Sequence, residues 1–409
     1  MHAPPPAADN LPKPMSLDGI RILDLTRVLS GPFCTQILAD HGAEVVKVEK
    51  PGSGDDTRAF GPPFVNGEST YFLSINRNKR SIAVDLKDKA GRQLVRDLAA
   101  QADVVVENFR AGAAARLGLG AAQLREINPR LIYCSISGFG QDGPYRDRAG
   151  YDLAVQGLSG MQSLTGSANG SPTKVGTSIA DLVSGLYAVQ GILLALVRRE
   201  RTGQGETIDI SMLDSMVSLL TYQASSYLHT GRVPQRAGNR HPSICPYETF
   251  AALDGHFNLA VGNDAQWRTF CEAVQRPDLL DDHRFGTNPE RVAHRDALFP
   301  VLTAHFCQQP LQHWLDLLDA AGVPCGPILN VDQTLSHPAV LARQMVVEQQ
   351  HPTAGAIRVP GVTVKLKEAP GQVRTPPPIL AEHTDVVLQQ WLQLSAQTLD
   401  ELRAAGAIA

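Results

Sequence analysis

Only six cysteines occur in 409 residues, at positions 34, 134, 245, 271, 307 and 325, with no C-x-x-C pair and no zinc-like spacing. Thiols this scattered read as reduced packing residues of a cytoplasmic protein, not as a disulfide scaffold. The twelve histidines include no H-E-x-x-H and join no tight carboxylate cluster, so no metal site is expected. The net charge is only −4, which leaves no electrostatic footprint for nucleic acid, and any anion site must be local. The first fifteen residues are rich in Pro and Ala and lack an apolar segment, so they read as a disordered lead-in and not a signal peptide. The most apolar run, Leu182 to Val197, is interrupted by Ser184, Gly185, Gln190 and Gly191 and stops at Arg198-Arg199. It is short for a membrane span and reads as a core helix, so no membrane partner is expected. No internal repeat is visible.

What is present is an alternation of strand and helix signals. Strands are expected over Ile20–Leu25, Glu44–Val48, Arg80–Leu86, Val104–Val106, Leu131–Ile136 and Glu206–Ile210. Helices are expected over Ser30–His41, Ala90–Ala100, Leu182–Arg199, about Asp214–Leu228 and Thr384–Leu394. This rhythm predicts an α/β fold with a mostly parallel sheet. An Arg-, Pro- and Gly-rich stretch from Gly231 to Pro246 reads as a linker. Beyond it lies a smaller domain with a hairpin, Glu248–Ala252 and Phe257–Val261, around Asp254-Gly255. Strand character returns at Ile357–Leu366. The organisation expected is a lead-in over 1–15 and a large domain beginning over 16–230. A linker and small domain follow over 231–330, and a return segment over 331–409 completes the large domain.

Several motifs bear on chemistry. Gly138-Phe-Gly140-Gln-Asp-Gly143 has the G-x-G-x-x-G spacing of a dinucleotide loop, but Pro144-Tyr-Arg-Asp-Arg148 does not open a helix. Such a glycine turn still lets backbone N–H groups approach an anion or a thioester oxygen. Gly176-Thr-Ser178-Ile-Ala180 is one residue short of a nucleophile elbow, with His351 and His383 as the available partners for a serine hydrolase. Lys50, Arg58, Arg77, Arg80, Arg110 and Arg116 sit at expected strand ends, where open α/β sheets place ligands. A set of cations there suits a multiply phosphorylated ligand. Asp181 stands among small and apolar residues at the mouth of the long apolar helix. An acid so placed is an N-cap or a reactive group, and the residues alone make the cap the simpler reading.

The segments Leu17-Asp-Gly-Ile-Arg-Ile-Leu-Asp24, Gly42-Ala-Glu-Val-Val-Lys-Val-Glu-Lys-Pro-Gly52, Asn76-Arg-Asn-Lys-Arg-Ser81, Val106-Glu-Asn-Phe-Arg110, Gly138-Phe-Gly140 and Ala149-Gly-Tyr-Asp152 together resemble the class III (CaiB/BaiF-type) CoA-transferases. Within that family Gly54-Asp-Asp-Thr-Arg58, Ser69-Thr-Tyr71 and Val323-Pro-Cys-Gly-Pro327 are most similar to the succinate–hydroxymethylglutarate and glutarate type. The resemblance implies a Rossmann-like large domain, a smaller α+β domain and a homodimer whose chains interlock like rings. It implies transfer of CoA from succinyl-CoA to a small dicarboxylate-like acid, with coenzyme A thioester as substrate and no permanently bound cofactor. Asp181 occupies the family's nucleophile position, and a helix N-terminus there would keep it ionised. Gly138 and Gly140 would supply oxyanion donors. Lys50, Ile75, Asn76, Asn108, Phe109, Arg110, Arg116, Ser137 and Phe139 match CoA contacts by local alignment, and Leu29 departs from relatives that carry a polar residue there. Arg240, His241 and Tyr247 are candidates for binding the acceptor acid, between the large domain and the partner's small domain. The rival readings are an acyl-CoA racemase of the same fold, which would need a histidine paired with Asp181, and a CoA-binding protein without catalysis.

Overall fold

A computed structural model describes residues 14–409. The expected lead-in lies almost wholly outside the described residues. Six strands form one parallel sheet: β1 (Arg21–Asp24), β2 (Glu44–Glu49), β3 (Lys79–Ala83), β4 (Val104–Glu107), β5 (Ile132–Ser137) and β6 (Thr207–Ser211). Their order is β3-β2-β1-β4-β5-β6. This is a doubly wound sheet whose strand order reverses between β1 and β4, and such sheets bind ligands in the crevice at that point.

The strands read as continuous apolar runs because helices cover both faces. Neighbouring residues point to opposite sides, so Leu23, Val46 and Val105 join one core while Ile22, Val45 and Val104 join the other. The first core takes Leu94, Val95 and Leu98 from the helix Lys89–Ala100, which Asp88 caps by accepting from Ala90 and Gly91 N–H groups. The second takes Cys34 and Leu38 from the helix Ser30–Asp40. It also takes Ala188 and Ile192 from a long helix, Ile179–Thr202. That helix ends at Gly203 in the left-handed conformation, φ +68°.

Several boundaries differ from the expected ones for identifiable reasons. The long helix runs 24 residues, so by length and composition it could cross a membrane, contrary to the shorter apolar run seen in sequence. The helix expected over 214–228 divides into Met212–Ser218 and Thr221–Thr230, with Thr221 at φ +37° between them. Strand character near 357 belongs to a hairpin, Val346–His351 with Gly355–Pro360. A last helix, Ala396–Ala404, follows the expected one at Thr384–Leu392.

The chain forms two compact units. One holds the sequence up to Met161, then Val175–Ala224 and Pro338–Ala409, and contains the six-stranded sheet. The other holds Gln162–Lys174 and Ser225–His337. Its three antiparallel strands are Tyr247–Ala251, His256–Ala260 and Cys325–Pro327, packed with a core that includes Trp267, Phe270, Phe306 and Trp314. The third strand, Cys325-Gly-Pro, is too short and too rich in Gly and Pro to announce itself in sequence.

Candidate active site

The turns that follow β1 and β4 meet at the switch point. Arg27 N–H donates to Asn108 Oδ1 at 2.8 Å, and Asn108 Nδ2 donates to the Arg27 carbonyl at 2.6 Å. Val28 holds a left-handed backbone at φ +68°, unusual for a β-branched residue. Its N–H donates to Asp55 Oδ1 at 3.2 Å. Asp55 is in turn paired with Lys47 Nζ at 2.8 Å, and both side chains are fully buried. Lys47 also donates to the Thr26 carbonyl at 2.8 Å. A buried ion pair thus fixes the β1 turn from beneath. On the other side Glu107 accepts the Phe109 N–H at 2.7 Å. Burial pushes the Glu107 carboxyl up to about 7.

Between these turns lies a crevice lined by Arg27, Asn108, Phe109, Arg110, Ser137 and Gly138, with Arg146 and Arg148 on its rim and Asp181 in its wall. Four arginines line this crevice, and although Arg27 is paired with Asp56 at 3.3 Å, the set suits an anionic ligand. A second crevice shares Arg27 and Phe109 with the first. It is lined by apolar Leu25, Val48, Val84 and Leu117 and carries Lys50 and Lys87. The two together offer an elongated path with an apolar end and a cationic end.

Asp181 is not a cap. Ser178 occupies the N-cap position, and Asp181 is the third residue of the helix. The cap's work is done from another helix, because Asp152 Oδ1 accepts the Ala180 N–H at 2.9 Å. Asp152 Oδ2 is held by Gln156 Nε2 at 2.7 Å. This leaves the Asp181 carboxylate facing the crevice. Its charge state also differs from expectation. Burial, and next the negative charge of Asp152, push it up to about 7, while a hydrogen bond from Ser30 pulls the other way. Desolvation and Asp152 therefore outweigh that hydrogen bond. A carboxylate near neutrality is desolvated and nucleophilic, yet still ionised in a large share of molecules at pH 7.

Tyr71 stands beside this group and escaped sequence reasoning. Burial and then the charges of Asp181, Asp152 and Asp55 push its phenol up to about 12, and it is hydrogen-bonded to Ser178. The motif Ser69-Thr-Tyr71 was visible, but nothing in it tied the ring to a helix more than a hundred residues on. Lys87 was missed because it looks like a surface lysine after a strand.

Other expected residues fall elsewhere. Ile75 and Asn76 are buried and do not line either crevice; Asn76 Nδ2 donates to the Phe72 carbonyl and its Oδ1 accepts from Lys79 Nζ. Arg116 is exposed and flanks Gly112 together with Arg146, so it stands at the crevice's edge. Gly140 does not present a free donor, since its N–H goes to Ser137 Oγ at 3.0 Å. Phe139 packs edge-on against Tyr145. Gly138 does line the crevice, and its close approach to Gly150 leaves no room for a Cβ, which would meet the Gly150 Cα at 2.6 Å. Arg240, His241 and Tyr247 belong to the second unit, where Arg240 is paired with Glu248 and Asp296 and His241 packs on Tyr247.

The rival motifs find no support in these contacts. His351 Nδ1 accepts N–H groups from Thr353 and Ala354, and His383 Nδ1 accepts from Ser81, so neither serves Ser178 as a base. Among the described residues no histidine lines the crevice that holds Asp181.

The fold and crevice define an α/β protein of the doubly wound class, with a half-buried carboxylate set beside arginines in one crevice. Comparison with known proteins narrows this. The family model for CoA-transferase family III matches residues 17–384. The chain is 44% identical over 392 residues to the human succinyl-CoA:glutarate CoA-transferase, covering 96% of this chain and 90% of that one. It is 44% identical over 382 residues to the succinate–glutarate CoA-transferase of Agrobacterium fabrum, covering 91% and 95%. Among solved structures, a CaiB/BaiF family protein from Brucella suis superposes with a TM-score of 0.83 at 42% identity, covering 93% of this chain and all of that one. The chain belongs to CoA-transferase family III and is a CoA-transferase.

Proposed function

We propose that this enzyme moves CoA from succinyl-CoA to a small dicarboxylic acid of the glutarate kind, through an aspartyl-CoA thioester on Asp181. The observation that carries this reading is the Asp181 carboxylate, relieved of capping by Asp152 and turned into a crevice lined by arginines. Relatives named for glutarate, D-citramalate and mesaconate all use succinyl-CoA by name, which supports the donor and the dicarboxylate class.

Asp181 attacks the thioester carbonyl and displaces CoA thiolate, leaving a mixed anhydride. The thiolate then attacks the Asp181 carboxyl carbon, forming the aspartyl-CoA thioester and releasing succinate. An incoming carboxylate reverses the two steps on itself. Each exchange trades one activated acyl bond for another of similar energy, so no ATP is required. The nucleotide end of CoA fits the apolar crevice, with Lys50 and Lys87 at its phosphates and Arg110, Arg116 and Arg146 further along. Asn108 and Phe109 hold the path between. Arg240, His241 and Tyr247 are kept as acceptor-binding residues, and the working form as an interlocked homodimer in the cytoplasm, on family resemblance.

The test is chemical trapping. Incubation with succinyl-CoA followed by hydroxylamine should modify Asp181, as read by mass spectrometry. Asp181→Ala should abolish transfer, and retained turnover in that variant would sink the mechanism. An unmodified Asp181 with α-proton exchange in an acyl-CoA would instead indicate a racemase. A panel of dicarboxylic acids with succinyl-CoA identifies the acceptor.

A further inference from the structure

Two of the four acyl steps in the cycle proposed above take place on the carboxyl group of Asp181 itself. In the second step the CoA sulfur pair forms the C–S bond at Asp181 Cγ. The C=O π pair moves onto the Asp181 oxygen, and its return expels succinate as a carboxylate. In the third step an incoming carboxylate oxygen adds to the same carbon, and the collapse expels CoA thiolate. No proton, electron or co-reactant is needed. In both steps the oxyanion is an oxygen of Asp181, so donors aimed at the substrate's carbonyl cannot serve it.

The structure supplies a donor at this oxygen. Ser30 is the first residue of the helix Ser30–Asp40, is 3% exposed, and lines the same crevice. Its hydroxyl is the side-chain hydrogen-bonding group that pulls the Asp181 carboxyl down against its burial. The contact depends on close packing of two helices. Gly185, one turn after Asp181 on the same face, lies so near the Ser30 carbonyl that a Cβ there would stand 2.7 Å from the oxygen. Three nearby donors are engaged elsewhere: Gly140 N–H bonds Ser137, Ala180 N–H bonds Asp152, and the Tyr71 phenol bonds Ser178.

We propose that Ser30 is a catalytic residue whose hydroxyl holds the Asp181 carboxylate for attack and then stabilises the oxyanion that forms on Asp181 as the aspartyl-CoA thioester is made and broken. The inference rests on the aspartyl-CoA reading.

Ser30→Ala in the full-length enzyme tests it. In single-turnover experiments with succinyl-CoA, formation and decay of the Asp181-linked CoA thioester should each slow by about 100-fold. The acid limb of kcat/KM should move to higher pH, because a donor to the anion is gone. CoA affinity and melting temperature should stay unchanged, and Ser30→Thr should recover rate by retaining the hydroxyl. Wild-type rates together with an unmoved acid limb in Ser30→Ala would overturn the proposal. So would equal defects in the Ala and Thr variants with CoA affinity intact. Failure of the underlying reading looks different, since the wild-type enzyme itself would then carry no CoA on Asp181.

Discussion

Replacing Asp181 should stabilise this protein at alkaline pH, and the size of the effect follows from the site. The Asp181 carboxyl has an ordinary value of 3.8 and is pushed up to about 7 by burial and by Asp152. Between those values the native state keeps a proton that the unfolded chain has already released. Stability therefore falls as pH rises through this window, and the full penalty is carried above about pH 7. A rise from 3.8 to about 7 corresponds to roughly 4 kcal/mol as a ceiling, at 1.36 kcal/mol per unit. The side chain is only partly shielded from water, and screening reduces this to about 2 kcal/mol. Asp181→Asn keeps the shape and removes the charge. Urea unfolding of variant and wild type, without substrate, should give equal stabilities near pH 4. At pH 8 the variant should be more stable by about 2 kcal/mol. Were Asp181 an ordinary cap, the substitution would instead leave stability nearly unchanged at every pH, because Asn and Asp cap about equally well. A wild type more stable than the variant at pH 8, or a gap that does not widen between pH 5 and 8, would refute the reasoning.

Three further outcomes are expected. In a pH–rate series the wild-type kcat/KM should fall tenfold per unit below about pH 7, as the free enzyme's Asp181 takes up its proton; a limb near 4 would show a carboxylate that the crevice does not perturb. Gly185→Ala should cost roughly 1–3 kcal/mol of stability by thermal melting and lower kcat, because its Cβ must push the Ser30 carbonyl away from the long helix. A fully active, fully stable variant would mean that the two helices need not pack so closely. Lys47→Met should cost about 3–5 kcal/mol, since it leaves Asp55 buried without its cation, and CoA affinity measured by calorimetry should drop as the Arg27–Val28 turn loosens.

Much of the sheet was legible in the chain. Val104-Val-Val106 and Glu44-Val-Val-Lys-Val48 read as strands because a parallel sheet covered on both faces demands unbroken apolar runs, and the structure puts strands there. The helix expected over Ala90–Ala100 was equally plain, and the structure starts it one residue earlier, at Lys89. Boundaries failed where local signals compete with packing. Thr221 has nothing in its own sequence to demand the left-handed backbone that divides two helices. Lys47 carries a charge in mid-strand, and its full burial could not be foreseen before Asp55 was brought to it from the next loop. Asn76 was expected as a CoA contact on family resemblance alone, yet the fold turns it inward onto Phe72 and Lys79.

The sequence by itself determined the alternation of strands and helices, the family and the identity of Asp181 as its singular acid, since periodicity and motif spacing are local properties. The charge state of that acid, and the fact that it does not cap its helix, were decided only in three dimensions. They depend on Asp152 and Ser30, which lie 29 and 151 residues away along the chain. Desolvation, hydrogen bonding and Coulomb repulsion act through space over a few ångströms, and only the folded chain sets those distances.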